Sequence, residues 1–188
     1  GYRQEGFARF DRNVHRGRRL SASQAYLHPV RKRKNLTVHT LSMVTGLRTS
    51  GKRVTGVDYL RGYKLKRSVE AGEVILCGGA FNSPQLLQLS GIGAAEEVQR
   101  HGIDVVHDLP GVGKNLQDHL DFILGYKSKD TDNFGIGLAG TIGLTKHILK
   151  WRKDGKSMIA TPFAEGAGFL KTDPSLDRPD IQLHFVIS

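Results

Sequence analysis

The chain has 188 residues, 38% hydrophobic and 24% charged, with a formal net charge of +10. Such a composition buries a core and excludes a disordered chain, and its 23 glycines follow no three-residue period, which excludes a collagen-like one. The longest nearly apolar run, residues 134–144, is far shorter than the roughly 20 residues of a membrane-spanning helix, and the single Cys77 excludes an intrachain disulfide framework.

The opening Gly1-Tyr2-Arg3-Gln4 has neither an initiator Met nor the basic-then-apolar plan of a secretory signal. Together with a strand pattern at the very end of the chain, this is what an internal piece of a longer protein would show. A lone cysteine also points to a reducing compartment.

Ser21 or Ser23 is placed to cap a helix over residues 24–27, which Pro29 kinks or ends. The basic run Arg31, Lys32, Arg33 and Lys34 then reads as a solvated turn that complements the helix dipole. It belongs to a wider asymmetry: residues 1–67 hold 17 Lys and Arg against 3 Asp and Glu, and the remainder 11 against 15. A basic nucleic-acid-binding module is therefore one alternative, a surface facing an acidic part of a larger protein a second, and anionic ligand binding a third. Neither zinc-finger spacing nor the aromatic strand signature of an RNA-recognition fold accompanies the charge.

Three short strands are predicted next, over residues 36–40, 43–47 and 53–60, with Ser50-Gly51-Lys52 as the turn between the last two. Residues 64–68 are polar. The continuous apolar run at 73–77 predicts a buried strand, and Cys77 at its end reads as buried. Gly78-Gly79-Ala80 makes a tight turn, and Ser83-Pro84 is the expected helix start for residues 85–89. A second helix is predicted over 94–101, closed by Gly102, and a strand over 103–106. Residues 109–118 form a Gly-rich loop, 144–151 a helical patch, and 181–185 a strand with one buried face.

Several spellings fail as sites. Gly135-Ile136-Gly137-Leu138-Ala139-Gly140 has the G-x-G-x-x-G form, but a polar segment precedes it where a dinucleotide-binding turn needs an apolar strand. Residues 46–52 begin like a phosphate-binding loop, yet Arg53 stands where Ser or Thr would hold Mg²⁺, and Gly111-Val112-Gly113-Lys114 fails likewise at Asn115. Asp118, His119 and Asp121 read as a loop salt bridge before they read as a metal cluster or an acid–base pair.

One stretch, Gly79-Ala80-Phe81-Asn82-Ser83-Pro84-Gln85-Leu86-Leu87-Gln88-Leu89-Ser90-Gly91-Ile92-Gly93, resembles the second signature of the glucose-methanol-choline (GMC) oxidoreductase family at every defined position. Its flanks are similar to that family in the same order: residues 17–22, 25–27, 35–38 and 56–57 before it, then 109–119, 163–169 and 179–185 after it. The resemblance covers nearly the whole chain. It looks closest to choline dehydrogenases and membrane-associated, acceptor-linked alcohol dehydrogenases.

The resemblance implies a mixed α/β chain: part of a Rossmann-like FAD-binding domain over residues 1–119, with 1–20 as a leading segment, and the start of an antiparallel-sheet substrate domain over 120–188. It implies FAD as cofactor, held by Val44, Gly78, Gly79 and Ala80, and a parent enzyme that oxidises a primary alcohol to an aldehyde. Choline itself is the alternative substrate. The electron acceptor would be quinone-like or O₂, with no nucleic acid as partner. The parent would be cytoplasmic, with peripheral association to the inner membrane.

The family's pyrophosphate loop lies upstream of these residues and its catalytic His downstream, and none of the eight histidines matches. No catalytic or metal-binding residue is assigned in this chain, and the chain alone is expected to be inactive. Glu165, the only ionisable residue in the apolar stretch 158–170, is the substrate-side candidate; it either faces the substrate cavity or meets a local donor as a structural element.

Overall fold

The structure is a computed structural model that describes residues 4–127, 129, 137–162 and 164–186. The chain begins with strands β1 (Gly6–Arg9), β2 (Val14–His15) and β3 (Arg18–Arg19), then a π-helical turn at Ser23–Leu27 that continues as a 3-10 turn at His28–Val30. Strands β4 (Ser42–Ser50), β5 (Arg53–Arg61) and β6 (Leu65–Glu70) follow, then α1 (Gly79–Leu89), β7 (Ile92–Gly93), α2 (Ala95–Arg100) and β8 (His107–Asp108). The last elements are α3 (Leu138–Asp154), a 3-10 turn at Met158–Ala160, β9 (Ala164–Leu170) and β10 (Ile181–Val186). This is a mixed α/β chain with antiparallel sheets. It forms two compact units, Thr37–Ile123 and Gly1–Leu36 with Leu124–Ser188.

In the unit Thr37–Ile123, β4, β5 and β6 form an antiparallel sheet with β5 at its centre. The pair Ser50 and Arg53 closes a two-residue turn whose first position, Gly51 at φ +57, suits the twist of a hairpin. Tyr59 of β5 is buried, and its hydroxyl shares a 3.0 Å hydrogen bond with Nδ1 of His39. Helix α1 packs on β4. The Leu47 N–H donates to the Ser90 hydroxyl at 2.8 Å, and that hydroxyl donates to the Leu86 carbonyl at 2.6 Å, so one side chain ties the end of α1 to the sheet. Val98 of α2 is the most buried side chain in the unit.

Four expectations change here. Residues 36–40 make no ladder among the described residues, and β6 runs through residues read only as polar, because backbone pairing with β5 is indifferent to the Lys and Arg side chains that β6 points at solvent. The strand pattern at 73–77 also makes no ladder among the described residues; Ile75 is 77% exposed and Cys77 is exposed, not buried. An apolar run becomes a buried strand only when partners flank it. The strand expected at 103–106 forms instead at β8, which pairs in parallel with β7.

The other unit is built on a second antiparallel sheet, ordered β1, β9, β10. Ala167 at the middle of β9 is buried, whereas all six residues of β10 are exposed, so the expected buried face of that strand is absent. Helix α3 ends at Gly155 in the left-handed conformation, and the Gly155 N–H returns to the Trp151 carbonyl at 2.8 Å. Near the amino end, the Gln24 N–H donates to the Ser21 hydroxyl at 3.3 Å, so of the two candidate caps it is Ser21 that meets the first turn, while Ser23 lies inside it. Arg31, Lys32, Arg33 and Lys34 are all solvent-exposed in the turns that follow.

Candidate functional site

The sequence candidates fall on two elements of the unit Thr37–Ile123. Val44 lies on β4 opposite Tyr59, and the register shifts directly after it, so that Gly46 faces Asp58 and Thr45 is the extra residue of a bulge. Bulges interrupt the ladder and re-aim the chain, which is why they recur beside binding sites. Val44 is 41% exposed, and this stretch of backbone is open to a ligand.

Gly78, Gly79 and Ala80 lie at the start of α1. The helix begins at Gly79, four residues before the expected start, and Ser83 is not its cap. Instead the Ser83 hydroxyl, already inside the helix, accepts the Gly78 N–H at 2.9 Å. A side chain that reaches back from the second turn thus holds the glycine pair in place. Gly79 has φ +81, and a Cβ there would meet nothing within 4 Å. It is glycine because the backbone requires it, and the space beside it is empty. The N–H groups of a first helical turn have no intrahelical acceptor and point out along the axis. A backbone bulge, an open glycine and free first-turn amides fit the edge of a dinucleotide cofactor. Among the described residues no hydrogen bond joins Val44 to residues 78–80; α1 packs on β4, and the bond between those elements ties Leu47 to Ser90 at the far end of the helix.

Beside the start of α1 opens a cavity of about 430 Å³. Ala80, Phe81 and Gln85 of the helix form one wall, and Lys114, Asn115 and Gln117 form the other. The Gln88 amide N–H donates to the Val112 carbonyl at 3.4 Å and holds the loop against the helix. The sequence marked residues 109–119 as similar to the family and rejected their phosphate-loop spelling at Asn115, but assigned no site residue to this loop. The signal was the pair Gly113 and Lys114: Gly113 has φ +77, and a Cβ on it would press on the Gln88 amide at 2.9 Å.

Glu165 belongs to the other unit. It sits on β9, where its carbonyl accepts the Phe10 N–H at 3.0 Å, and its Oε1 is 3.8 Å from a guanidinium nitrogen of Arg12. Its side chain is 42% exposed, so the carboxylate is neither deeply buried nor without a cation. In the turn between β9 and β10, the hydroxyl and N–H of Thr172 both donate to Asp180 and hold its carboxyl below the ordinary range. Ser175 does the same for Asp173.

The rejected spellings take structural roles. Residues 46–52 are the strand and turn of a hairpin. Gly135 and Ile136 lie outside the described residues, while Gly137 precedes α3. The Asp118 carboxylate accepts the N–H of its neighbour His119 at 2.9 Å, and the described residues contain no cluster of three metal-ligating side chains. None of their helices is long and apolar enough to cross a membrane.

Residues 1–121 match the family profile described as GMC oxidoreductase. The chain is 46% identical over 189 residues to the oxygen-dependent choline dehydrogenase of Staphylococcus aureus, covering 99% of this chain and 32% of that protein. It therefore spans about a third of the length of the curated relatives it matches. Among solved structures, formate oxidase of Aspergillus oryzae RIB40 superposes with a TM-score of 0.81 at 23% identity, over 98% of this chain and 36% of that one. Pyridoxine 4-oxidase from Mesorbium loti superposes with a TM-score of 0.72 at 28% identity, over 96% and 31%. The nucleic-acid-binding alternative finds no support in these similarities.

Proposed function

The chain belongs to the GMC oxidoreductase family, and from that premise we propose that it is part of an FAD-dependent enzyme that oxidises a primary alcohol to an aldehyde. The identity with the staphylococcal choline dehydrogenases, which runs through almost the whole chain, carries this reading. When bound, FAD supplies the acceptor for the hydride that leaves the alcohol carbon. Val44, Gly78, Gly79 and Ala80 would hold the cofactor, the first through backbone beside its bulge and the others through the open turn that starts α1. The alcohol proton must pass to a base within hydrogen-bond reach, and no residue of this chain is given that role.

We place the division of labour near residue 120, with cofactor contacts before it and substrate contacts after it. The leading segment is held by the sheet that carries Glu165, since β1 pairs with β9. Choline is the second reading, favoured by the relatives' printed name and by a half-exposed carboxylate at Glu165. Arg12 already partners that carboxylate, which supports the structural role for Glu165.

The acceptor is O₂ or a quinone-like molecule, and the complete enzyme would work in the cytoplasm with peripheral contact to the inner membrane. The test is to purify the full-length enzyme, release its flavin with acid, and measure aldehyde from choline and from neutral primary alcohols. Peroxide production against dye reduction identifies the acceptor, and fractionation after a salt wash locates the enzyme. A full-length protein that holds no flavin and yields no aldehyde would refute the reading.

A further inference from the structure

Helix α3 meets the rest of its unit along one side. Gly140, Gly143, His147 and Trp151, spaced by three or four residues, are its half-buried positions. The Trp151 indole N–H donates to the Gly17 carbonyl, and Nδ1 of His147 shares a 3.1 Å hydrogen bond with the Ser157 hydroxyl. On the opposite side the same spacing recurs through Leu138, Ile142, Thr145 and Leu149. The three apolar side chains of this stripe are 81%, 51% and 60% exposed, in that order. The threonine adds no free hydroxyl to it: Thr145 donates to the Thr141 carbonyl at 2.9 Å, and its neighbour Thr141 donates to the Gly137 carbonyl at 3.0 Å. Lys146, Arg152 and Lys153 border the stripe on the carboxyl half of the helix, and among the described residues none of them has an ion-pair partner. The one carboxylate of the helix, Asp154, accepts the Lys156 N–H at 2.8 Å.

An outward apolar stripe edged by unpaired cations suits a flat surface that is apolar below and negative above. We propose that α3 is the element by which the complete enzyme docks on an anionic bilayer, lying in the plane of the headgroups. Leu138, Ile142 and Leu149 then leave water for the ends of the acyl chains, while Lys146, Arg152 and Lys153 reach lipid phosphates on their flexible stems. At 17 residues the helix offers a contact about 25 Å long. Charge argues against the other occupants. A second copy packed stripe to stripe brings more cations and no carboxylate. Another part of the same chain laid over the stripe would strip water from cations that have no partner, which is costly, whereas at a headgroup layer they gain a counter-charge and stay hydrated. The inference rests on the reading of the complete enzyme as a peripheral membrane protein, and it names the residues that make the contact.

Flotation of the full-length enzyme tests it, with vesicles of equal parts phosphatidylcholine and phosphatidylglycerol and with vesicles of phosphatidylcholine alone. The wild type is expected to float with the anionic vesicles and to stay behind with the neutral ones. Ile142→Ser with Leu149→Ser, and separately Lys146→Gln with Lys153→Gln, should each weaken binding by about tenfold or more at an unchanged melting temperature. As a control for net charge, Lys66→Gln with Arg67→Gln on the exposed strand β6 should leave flotation nearly unchanged; a loss as large as that of the α3 lysine pair would overturn the proposal. No flotation of the wild type, with serine variants that melt earlier, would mean that the chain itself covers α3. A dimer abolished by the serine variants, again without flotation, would assign the stripe to a second copy; either result rejects the bilayer. If the serine pair lowers the melting temperature yet the wild type floats, the lysine pair decides. Flotation kept in every α3 variant removes α3 and leaves the peripheral reading intact, whereas α3-dependent flotation of an enzyme that cell fractionation finds wholly in the soluble fraction removes that reading and leaves the lipid affinity of α3.

Discussion

The indole N–H of Trp151, near the end of α3, donates to the backbone carbonyl of Gly17, in the turn between β2 and β3. Arg18 lies over the same ring, 5.3 Å from its centroid. One side chain therefore joins segments 134 residues apart by a hydrogen bond and a cation-π contact. Gly17 has φ +71, and a Cβ on it would run into the Gly155 backbone, so both glycines at this junction are required by space as well as by conformation.

Trp151→Phe keeps the ring under Arg18 and loses the donor. It should lower the unfolding free energy of the chain by about 1 kcal/mol in urea. Gly17→Ala should cost more, because the backbone of the turn must move. Equal midpoints for wild type and Gly17→Ala would show that the junction does not contribute.

At the start of α1, Gly79→Val forces a β-branched residue to φ +81, a strain of about 1–2 kcal/mol, and fills the open space beside the turn. The full-length variant should purify with a markedly lower ratio of flavin to protein. A normal ratio would remove Gly79 from the cofactor residues.

Glu165→Gln separates two roles by kinetics. If the carboxylate meets a quaternary ammonium group, KM for choline rises strongly and neutral alcohols are barely affected. If its role is structural, both substrates lose equally and the melting temperature falls. The half-exposed Arg12 pair by itself is worth at most about 1 kcal/mol.

The turn before β10 makes the chain sensitive to acid. Thr172 holds the Asp180 carboxyl below its ordinary value of 3.8 by donating two hydrogen bonds to the carboxylate, the larger effect from its hydroxyl. A carboxylate with a depressed folded-state pKa stabilises the fold above its unfolded-state pKa, and that stability is lost as pH falls through the folded value. Loss of stability should therefore begin below about pH 4 and be weaker in Asp180→Asn, read by thermal unfolding across that window. An NMR titration of Asp180 at or above the ordinary value would contradict it.

This chain by itself is expected to purify without stoichiometric flavin and to oxidise no alcohol. A yellow, active preparation of the 188 residues would refute that expectation.

The hairpin of β4 and β5 was legible because alternation and the Ser50-Gly51-Lys52 turn are local signals. Strand β6 was not, since Lys66 and Arg67 hide a ladder that only the neighbouring β5 specifies. At α1 the Ser83-Pro84 pair read as a helix start, yet the Ser83 hydroxyl serves the Gly78 N–H from within the helix, an arrangement with the same spelling. The cavity stayed hidden for a different reason: Lys114 is near Phe81 only because Gln88 fastens a later loop to α1, and side-chain bonds across 24 residues leave no periodicity.

Residues 73–77 carry an apolar strand pattern that makes no ladder among the described residues, and the exposed Ile75 and Cys77 lie along it. Backbone groups of that kind are a template for any chain able to pair with them, including another copy of the same one. The practical consequence is colloidal. Solutions of these 188 residues should scatter light increasingly with concentration, and Cys77 should drive covalent dimers once reductant is withdrawn. A lysine at Ile75 should suppress the first effect and leave the second; scattering that is indifferent to Ile75→Lys would put the sticky surface elsewhere.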